Sequence, residues 1–129
     1  MHTQGYERST PWRLALALMT RVAALTDTFE DDGFSMAGKL KVLAADLPAR
    51  CAMTHEQADY DSAQRHAQST SEHLLKLWMT AQVAAHLGLI HPKPLAALRK
   101  QLDAIDDATA ALPDELFEDD GEGELADAA

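Results

Sequence analysis

One uninterrupted stretch, residues 54–88, limits the fold of this chain more than any other feature. No Pro or Gly lies between Met53 and Leu87. Small and apolar residues recur there at alternating spacings of three and four, which keeps one narrow stripe of an α-helix facing a partner. The stripe consists of Tyr60, Ala63, Ala67, Thr70, Leu74, Leu77, Ala81 and Ala84. At 1.5 Å per residue the helix is about 45–50 Å long, and it needs other helices packed along it in water.

The ends of this long helix carry recognisable signals. Thr54 with Gln57 fits a capping box, in which two side chains satisfy free N–H groups of the first turn. Gly88 lies where a left-handed cap commonly ends a helix.

Three further helices are predicted around the long one, with no strand-like alternation. Pro11 starts the first helix, Pro48 interrupts the second and Pro113 ends the last. The four predicted helices are about 11–29, 35–52, 55–87 and 93–112. Short connections between them predict an all-α, antiparallel up-down-up-down four-helix bundle in a single domain, residues 1–112.

Composition agrees with a small folded domain. The chain has 129 residues, of which 47% are hydrophobic and only 5% aromatic, which favours helix over sheet and argues against wholesale disorder. The single cysteine, Cys51, excludes an internal disulfide and suits a reducing compartment. The apolar run 14–19 is too short for a membrane span. We therefore expect a cytoplasmic protein that does not bind membranes.

The charge of −10 is concentrated at the C-terminus. Residues 113–129 hold eight acidic residues and no basic ones, and this composition predicts a disordered acidic tail. The rest of the chain is close to neutral, so the low overall pI does not describe the bundle itself.

No residue pattern of an enzyme or a metal centre stands out. Asp59, His66 and His73 are seven residues apart, and two helical turns, about 10 Å, separate neighbours too widely for one ion. None of the six histidines follows a Glu by three residues, as a di-iron bundle requires. Cys51 could act as a thiol nucleophile with His55 as its base if one helix carried both residues. We expect no catalytic residues, no metal and no cofactor.

Two groups of residues instead suggest surfaces for macromolecules. The first is an apolar strip beside the long helix's stripe, which we interpret as an oligomer interface because Trp and Met are enriched in interfaces. It consists of Leu75, Trp78, Met79 and Val83. The second is a set of basic residues on the second helix, a possible nucleic-acid contact. It consists of Lys39, Lys41 and Arg50, with Arg65 and Lys76 on the third helix.

Several segments, taken together, resemble a known family over residues 11–112. They are Trp12…Phe29, the turn ending at Gly33, Lys39-Leu40-Lys41…Leu47-Pro48-Ala49 and Leu74…Leu77…Ala84…Leu87-Gly88-Leu89-Ile90. This order is similar to that of the four-helix-bundle proteins encoded in intervening sequences of bacterial large-subunit ribosomal RNA. The accessory proteins of diversity-generating retroelements are related to them. The resemblance implies a homopentameric ring and, for the retroelement members, binding of reverse transcriptase and nucleic acid through a basic surface.

The sequence therefore favours a non-catalytic, oligomeric scaffold or adaptor for a partner protein or RNA. The first alternative is a nucleic-acid-binding accessory protein that acts with a reverse transcriptase or ribosomal RNA. The second is a small metal-binding or enzymatic bundle.

Overall fold

The computed structural model describes residues 4–128 of the chain, and side chains from 5 to 117. Within that range it contains helices and their connections but no strand, so the all-α prediction is confirmed. The helices are α1 (Gln4–Glu7), α2 (Thr10–Thr26), α3 (Met36–His55), α4 (Tyr60–His86) and α5 (Pro92–Ala128). None of the helices in the described range combines the length and the apolar character needed to cross a membrane.

The long helices enclose one hydrophobic core. α3 packs on α2 and on α4, α5 packs on α4 and on α2, and short α1 contacts α2 and α3. Of the stripe predicted for the long helix, every residue is buried except Tyr60, which is 38% exposed. The largest fully buried aliphatic side chains are Leu18, Leu40, Leu47, Leu77, Leu98, Ile105 and Val22. The alternating spacing of three and four thus identifies the buried face of α4 correctly.

Each long helix also buries one threonine, and each hydroxyl is satisfied within its own helix. The hydroxyl donates to the carbonyl oxygen four residues earlier, which removes the penalty of burying an unpaired polar group. The four bonds are Thr26 to Val22 (2.8 Å), Thr54 to Arg50 (3.1 Å), Thr70 to His66 (3.0 Å) and Thr109 to Ile105 (2.7 Å). Threonine can therefore occupy core positions here because its own helix supplies the acceptor for its hydroxyl.

The junction between α3 and α4 differs from its prediction. Thr54 does not cap the long helix: it is fully buried inside α3, on the same face as Leu47 and Cys51. The cap of α4 is Asp59, whose carboxylate accepts a hydrogen bond from the backbone N–H of Ser62 at 2.8 Å. That bond lowers the pKa of Asp59 below its ordinary value. The capping-box prediction is wrong because the core face of α3 continues one turn further than Pro48 suggested.

The other helix ends also shift. α2 begins at Thr10, one residue before Pro11, and Ser9 caps it: the Ser9 hydroxyl accepts a hydrogen bond from the N–H of Trp12. Pro48 and Pro113 both lie inside helices, so the prediction that the last helix ends at Pro113 is wrong. Both proline rings are buried. The free energy gained by this burial offsets part of the cost of the hydrogen bond that each proline removes. The predicted tail, 113–129, extends beyond the described side chains, and its disorder stays a prediction.

Candidate interaction surface

An unpartnered apolar stripe runs along the outer side of α4. Leu75, Met79 and Val83 follow one another at a spacing of four residues, and they are 57%, 55% and 50% exposed. A spacing of four places the side chains along one face of a helix. Val42 of α3 is 71% exposed and lies across a groove from α4. Three of the four residues predicted as an oligomer interface therefore form one exposed apolar surface. Val42 lies in the neighbouring groove, which shares Lys76 and Thr80 with that surface.

The fourth predicted contact residue, Trp78, is less exposed and lies beside Leu75 in the groove between α4 and α5. Its ring packs against the hydrophobic core, and the guanidinium of Arg99 on α5 lies 4.9 Å from the ring centroid. A cation over an indole face at this distance is attracted by the ring quadrupole. Trp78 is thus half-buried between α4 and α5 and does not belong to the exposed stripe. Sequence spacing alone could not show this, because it depends on how closely α5 approaches.

One side of the apolar stripe borders a basic groove between α3 and α4. The groove has a volume of about 570 Å³ and is lined mostly by apolar groups. Lys39 of α3 and Lys76 of α4 are its only charged lining residues among those described. We call this surface the lysine groove; it is lined by Ser35, Gly38, Lys39, Val42, Leu43, Lys76 and Thr80.

The other side of the stripe borders an acidic groove between α4 and α5. This second groove has a volume of about 320 Å³. Glu72, Asp103 and Asp106 supply three carboxylates, and Arg99 supplies one guanidinium, whose Nε donates to Asp103 Oδ1 at 3.2 Å. We call this surface the acid groove; it is lined by Glu72, Leu75, Trp78, Arg99, Leu102, Asp103 and Asp106, with Gln68, Ser71 and Leu74.

The two grooves are joined across α4. A shallow depression holds Met79 and Val83 together with Leu75 and Glu72 of the acid groove and Lys76 and Thr80 of the lysine groove. The surface is therefore continuous: apolar in the middle, positive towards α3 and negative towards α5. Such an arrangement suits a protein partner whose own surface has an apolar centre with charges on either side.

The predicted nucleic-acid residues do not form one cluster. Lys39 lines the lysine groove, whereas Lys41 follows two positions later, about 200° around the helix, and lies on the other side of α3. Arg50 faces α4: its Nε donates to Asp46 Oδ2 at 2.6 Å and its Nη1 to Ser69 Oγ at 3.2 Å. Ser69 in turn lines a small polar pocket with Arg65. Arg50 is therefore linked through Ser69 to the pocket that Arg65 lines, and Lys41 lies away from that pocket.

The histidines do not form a metal site in the described part of the chain. His73 Nε2 lies 2.8 Å from the carbonyl oxygen of Leu43, a hydrogen bond that ties α4 to α3. His66 lines the polar pocket beside Arg65. Between residues 5 and 117, no three His, Cys, Asp or Glu side chains come close enough to hold an ion together.

Cys51 and His55 do lie one turn apart in α3, but the thiol is not placed for catalysis. Cys51 is fully buried in the core. Burial raises the pKa of its thiol to about 11, and a hydrogen bond with Thr109 offsets only part of that rise. The thiol is therefore protonated and shielded from solvent at neutral pH, whereas a nucleophile needs an accessible thiolate.

The raised pKa of Cys51 predicts a loss of stability in alkali. The unfolded thiol titrates near its ordinary value of 9.0, whereas the folded thiol keeps its proton to about 11. Above about pH 9 the unfolded state alone releases this proton, so the free energy of unfolding falls by up to about 3 kcal/mol between pH 9 and 11. Urea unfolding of Cys51→Ala should show a smaller decline over this range. Parallel declines for the variant and the wild type would contradict the prediction.

Comparison with known proteins adds no functional information. No protein-family model matches the chain, and no curated protein matches it.

Proposed function

We propose that this protein is a non-catalytic helical scaffold that associates with itself through the apolar surface of α3 and α4. The single observation that carries the proposal is the exposed stripe of Leu75, Met79 and Val83 beside Val42. A contiguous apolar patch with a polar border is typical of an interface, because a monomer gains nothing by exposing it to water. Between residues 5 and 117 no group of three His, Cys, Asp or Glu side chains could hold a metal ion, and the Cys51 thiol is buried with a raised pKa.

The proposed architecture is the antiparallel up-down-up-down bundle. Contacts between α3 and α4 support it: Leu43, early in α3, bonds to His73, and Arg50, later in α3, bonds to the earlier Ser69. The connections are also short, with four residues between His55 and Tyr60 and five between His86 and Pro92, as in antiparallel neighbours. In this arrangement α4 lies between α3 and α5, and its outer face is free for a partner. The pentameric ring remains a proposal that rests on the family resemblance.

The scaffold proposal is tested by measuring molecular mass in solution. We expect the wild-type chain to form an oligomer at micromolar concentration, by light scattering coupled to size exclusion. Met79→Lys with Val83→Glu leaves the formal charge unchanged but places two charges in the apolar surface. We expect a smaller species with an unchanged far-UV circular dichroism spectrum, because burying unpaired charges opposes association.

A matched control uses an exposed leucine outside the proposed interface. Leu16 on α2 is 42% exposed and lines neither groove, so Leu16→Lys should leave the mass unchanged. A wild-type chain that is monomeric up to about 100 µM would refute self-association. An unfolded Met79 and Val83 variant would show that these residues support the bundle rather than an interface.

Binding of nucleic acid is the second candidate function, and one observation favours it. Arg65 lines a polar pocket with the hydroxyls of Ser62 and Ser69, and Arg50 is attached to that pocket through its hydrogen bond to Ser69. Guanidinium and hydroxyl groups are common donors to phosphate. An accessory protein for a reverse transcriptase or ribosomal RNA could use this pocket on the outer surface of an assembled oligomer. Asp46 partly neutralises Arg50, so the self-association proposal has the stronger support.

A further inference from the structure

The two grooves beside the apolar stripe carry opposite charge, and this suggests what covers them. Lys39 and Lys76 supply only positive charge to the lysine groove. Glu72, Asp103 and Asp106 outnumber Arg99 in the acid groove. Both grooves belong to one continuous surface, because the depression at Met79 shares residues with each of them. A partner must therefore offer an apolar centre, an acidic side and a basic side.

We propose that the lysine groove of one chain docks on the acid groove of another copy. The inference rests on the self-association proposed above and identifies the surfaces that meet. A second copy supplies the required combination, since it presents the same apolar stripe with the same two charged flanks. Lys39 and Lys76 of one copy face Asp103 and Asp106 of the next, while Leu75, Met79 and Val83 are removed from water. Like-charged flanks would face each other in the opposite arrangement, which electrostatic repulsion disfavours.

The shape of the grooves supports this docking. The lysine groove is open and mainly apolar, and its two lysines come from α3 and α4. The Lys39 ammonium donates to the exposed backbone carbonyl oxygen of Phe34 at 2.9 Å, a bond that it exchanges for a carboxylate on docking. In the acid groove, Arg99 is already held by Trp78 and Asp103. Asp106 has no ion-pair partner among the described residues and is left to receive a lysine.

Charge reversal tests the proposal directly. Lys39→Glu with Lys76→Glu makes both grooves acidic, and Asp103→Lys with Asp106→Lys makes both basic. We expect each variant alone to dissociate, with an apparent dissociation constant raised at least about tenfold. An equimolar mixture of the two variants should assemble again, because an acidic chain then meets a basic one. A single chain carrying all four substitutions should also assemble, since its grooves have only exchanged their charges.

The outcomes separate this inference from the proposal on which it rests. A monomeric wild type refutes self-association altogether. If the wild type assembles and the Met79 variant does not, yet both charge variants assemble like the wild type, the apolar surface is the interface and the groove pairing is wrong. A mixture that stays dissociated overturns the pairing as well. Should a charge-reversed chain lose its helical spectrum, Lys76→Gln and Asp106→Asn replace the reversals, and each must weaken assembly at 50 mM salt more than at 500 mM salt.

Discussion

Leu77→Asp should unfold the protein, and this is the largest effect that we expect from one substitution. Leu77 lies in the middle of α4, its side chain is fully buried, and it belongs to the central core. Removing the leucine already costs about 2–5 kcal/mol, and a buried carboxylate without a partner adds a desolvation penalty. The total is comparable to the whole free energy of unfolding of a small domain, about 5–15 kcal/mol. We therefore expect the helical far-UV signal to be lost or to melt far below that of the wild type.

The same substitution at an exposed leucine provides the control. Leu16→Asp places an identical side chain on α2, where the leucine is 42% exposed. Exposed substitutions usually change stability by less than about 0.5 kcal/mol, so this variant should melt close to the wild type. If Leu77→Asp melts like the wild type, the assignment of the α4 stripe to the core is wrong.

Removal of the acidic C-terminus should reveal polyanion binding at low salt. The structure shows where to cut: Pro113 is buried and Leu116 and Phe117 are half-buried, so the truncation should begin at residue 118. Residues 118–129 contain six acidic residues and no basic ones, and their loss moves the formal charge from −10 to −4. The remaining negative field at Arg50 and at the pocket that Arg65 lines is weaker, so phosphates can approach these groups more closely.

The expected measurement is RNA binding by full-length and truncated chains at 50 and 500 mM salt. We expect binding only by the truncated chain at 50 mM. If four phosphates are contacted, a tenfold rise in salt weakens binding by roughly a thousandfold. Arg50→Gln with Arg65→Gln should abolish binding, whereas Lys41→Gln should not, because Lys41 lies on the other side of α3. If neither chain binds RNA at 50 mM salt, the nucleic-acid proposal is refuted, and self-association is the one proposal that remains.

The core was the most predictable part of this molecule. The spacing of three and four selected Ala63, Leu74, Leu77 and Ala81, and all four are buried. Leu98, Leu102 and Ile105 on α5 follow the same spacing, and they are also buried. This works because helix geometry is local: residues three and four apart share a face whatever surrounds them. Helix ends were less predictable, since Thr54 and Asp59 are both good caps and only the burial of Thr54 decides between them.

The interaction surface was only partly predictable. The exposure of Leu75, Met79 and Val83 could be predicted because they lie outside the buried stripe of α4, which runs from Ala63 to Ala84. The burial of Trp78 between α4 and α5 could not be predicted, because it depends on Arg99, which is 21 residues away in the sequence and on another helix. Val42, Asp103 and Asp106 were missed as members of this surface. The sequence showed only that these three residues lie outside the buried faces of α3 and α5. Many surface residues share that property.

The sequence by itself determined that this chain is helical, where its helices approximately lie, and which face of α4 is buried. Those properties depend on neighbours within two turns, and the order of residues specifies them directly. Tertiary structure alone decided that Arg50 is linked through Ser69 to the pocket that Arg65 lines, that Lys39 and Lys76 share one groove, and that Asp103 and Asp106 of α5 share a groove with Glu72 of α4. These neighbours come from different helices, and their distances depend on how the helices pack around a shared core.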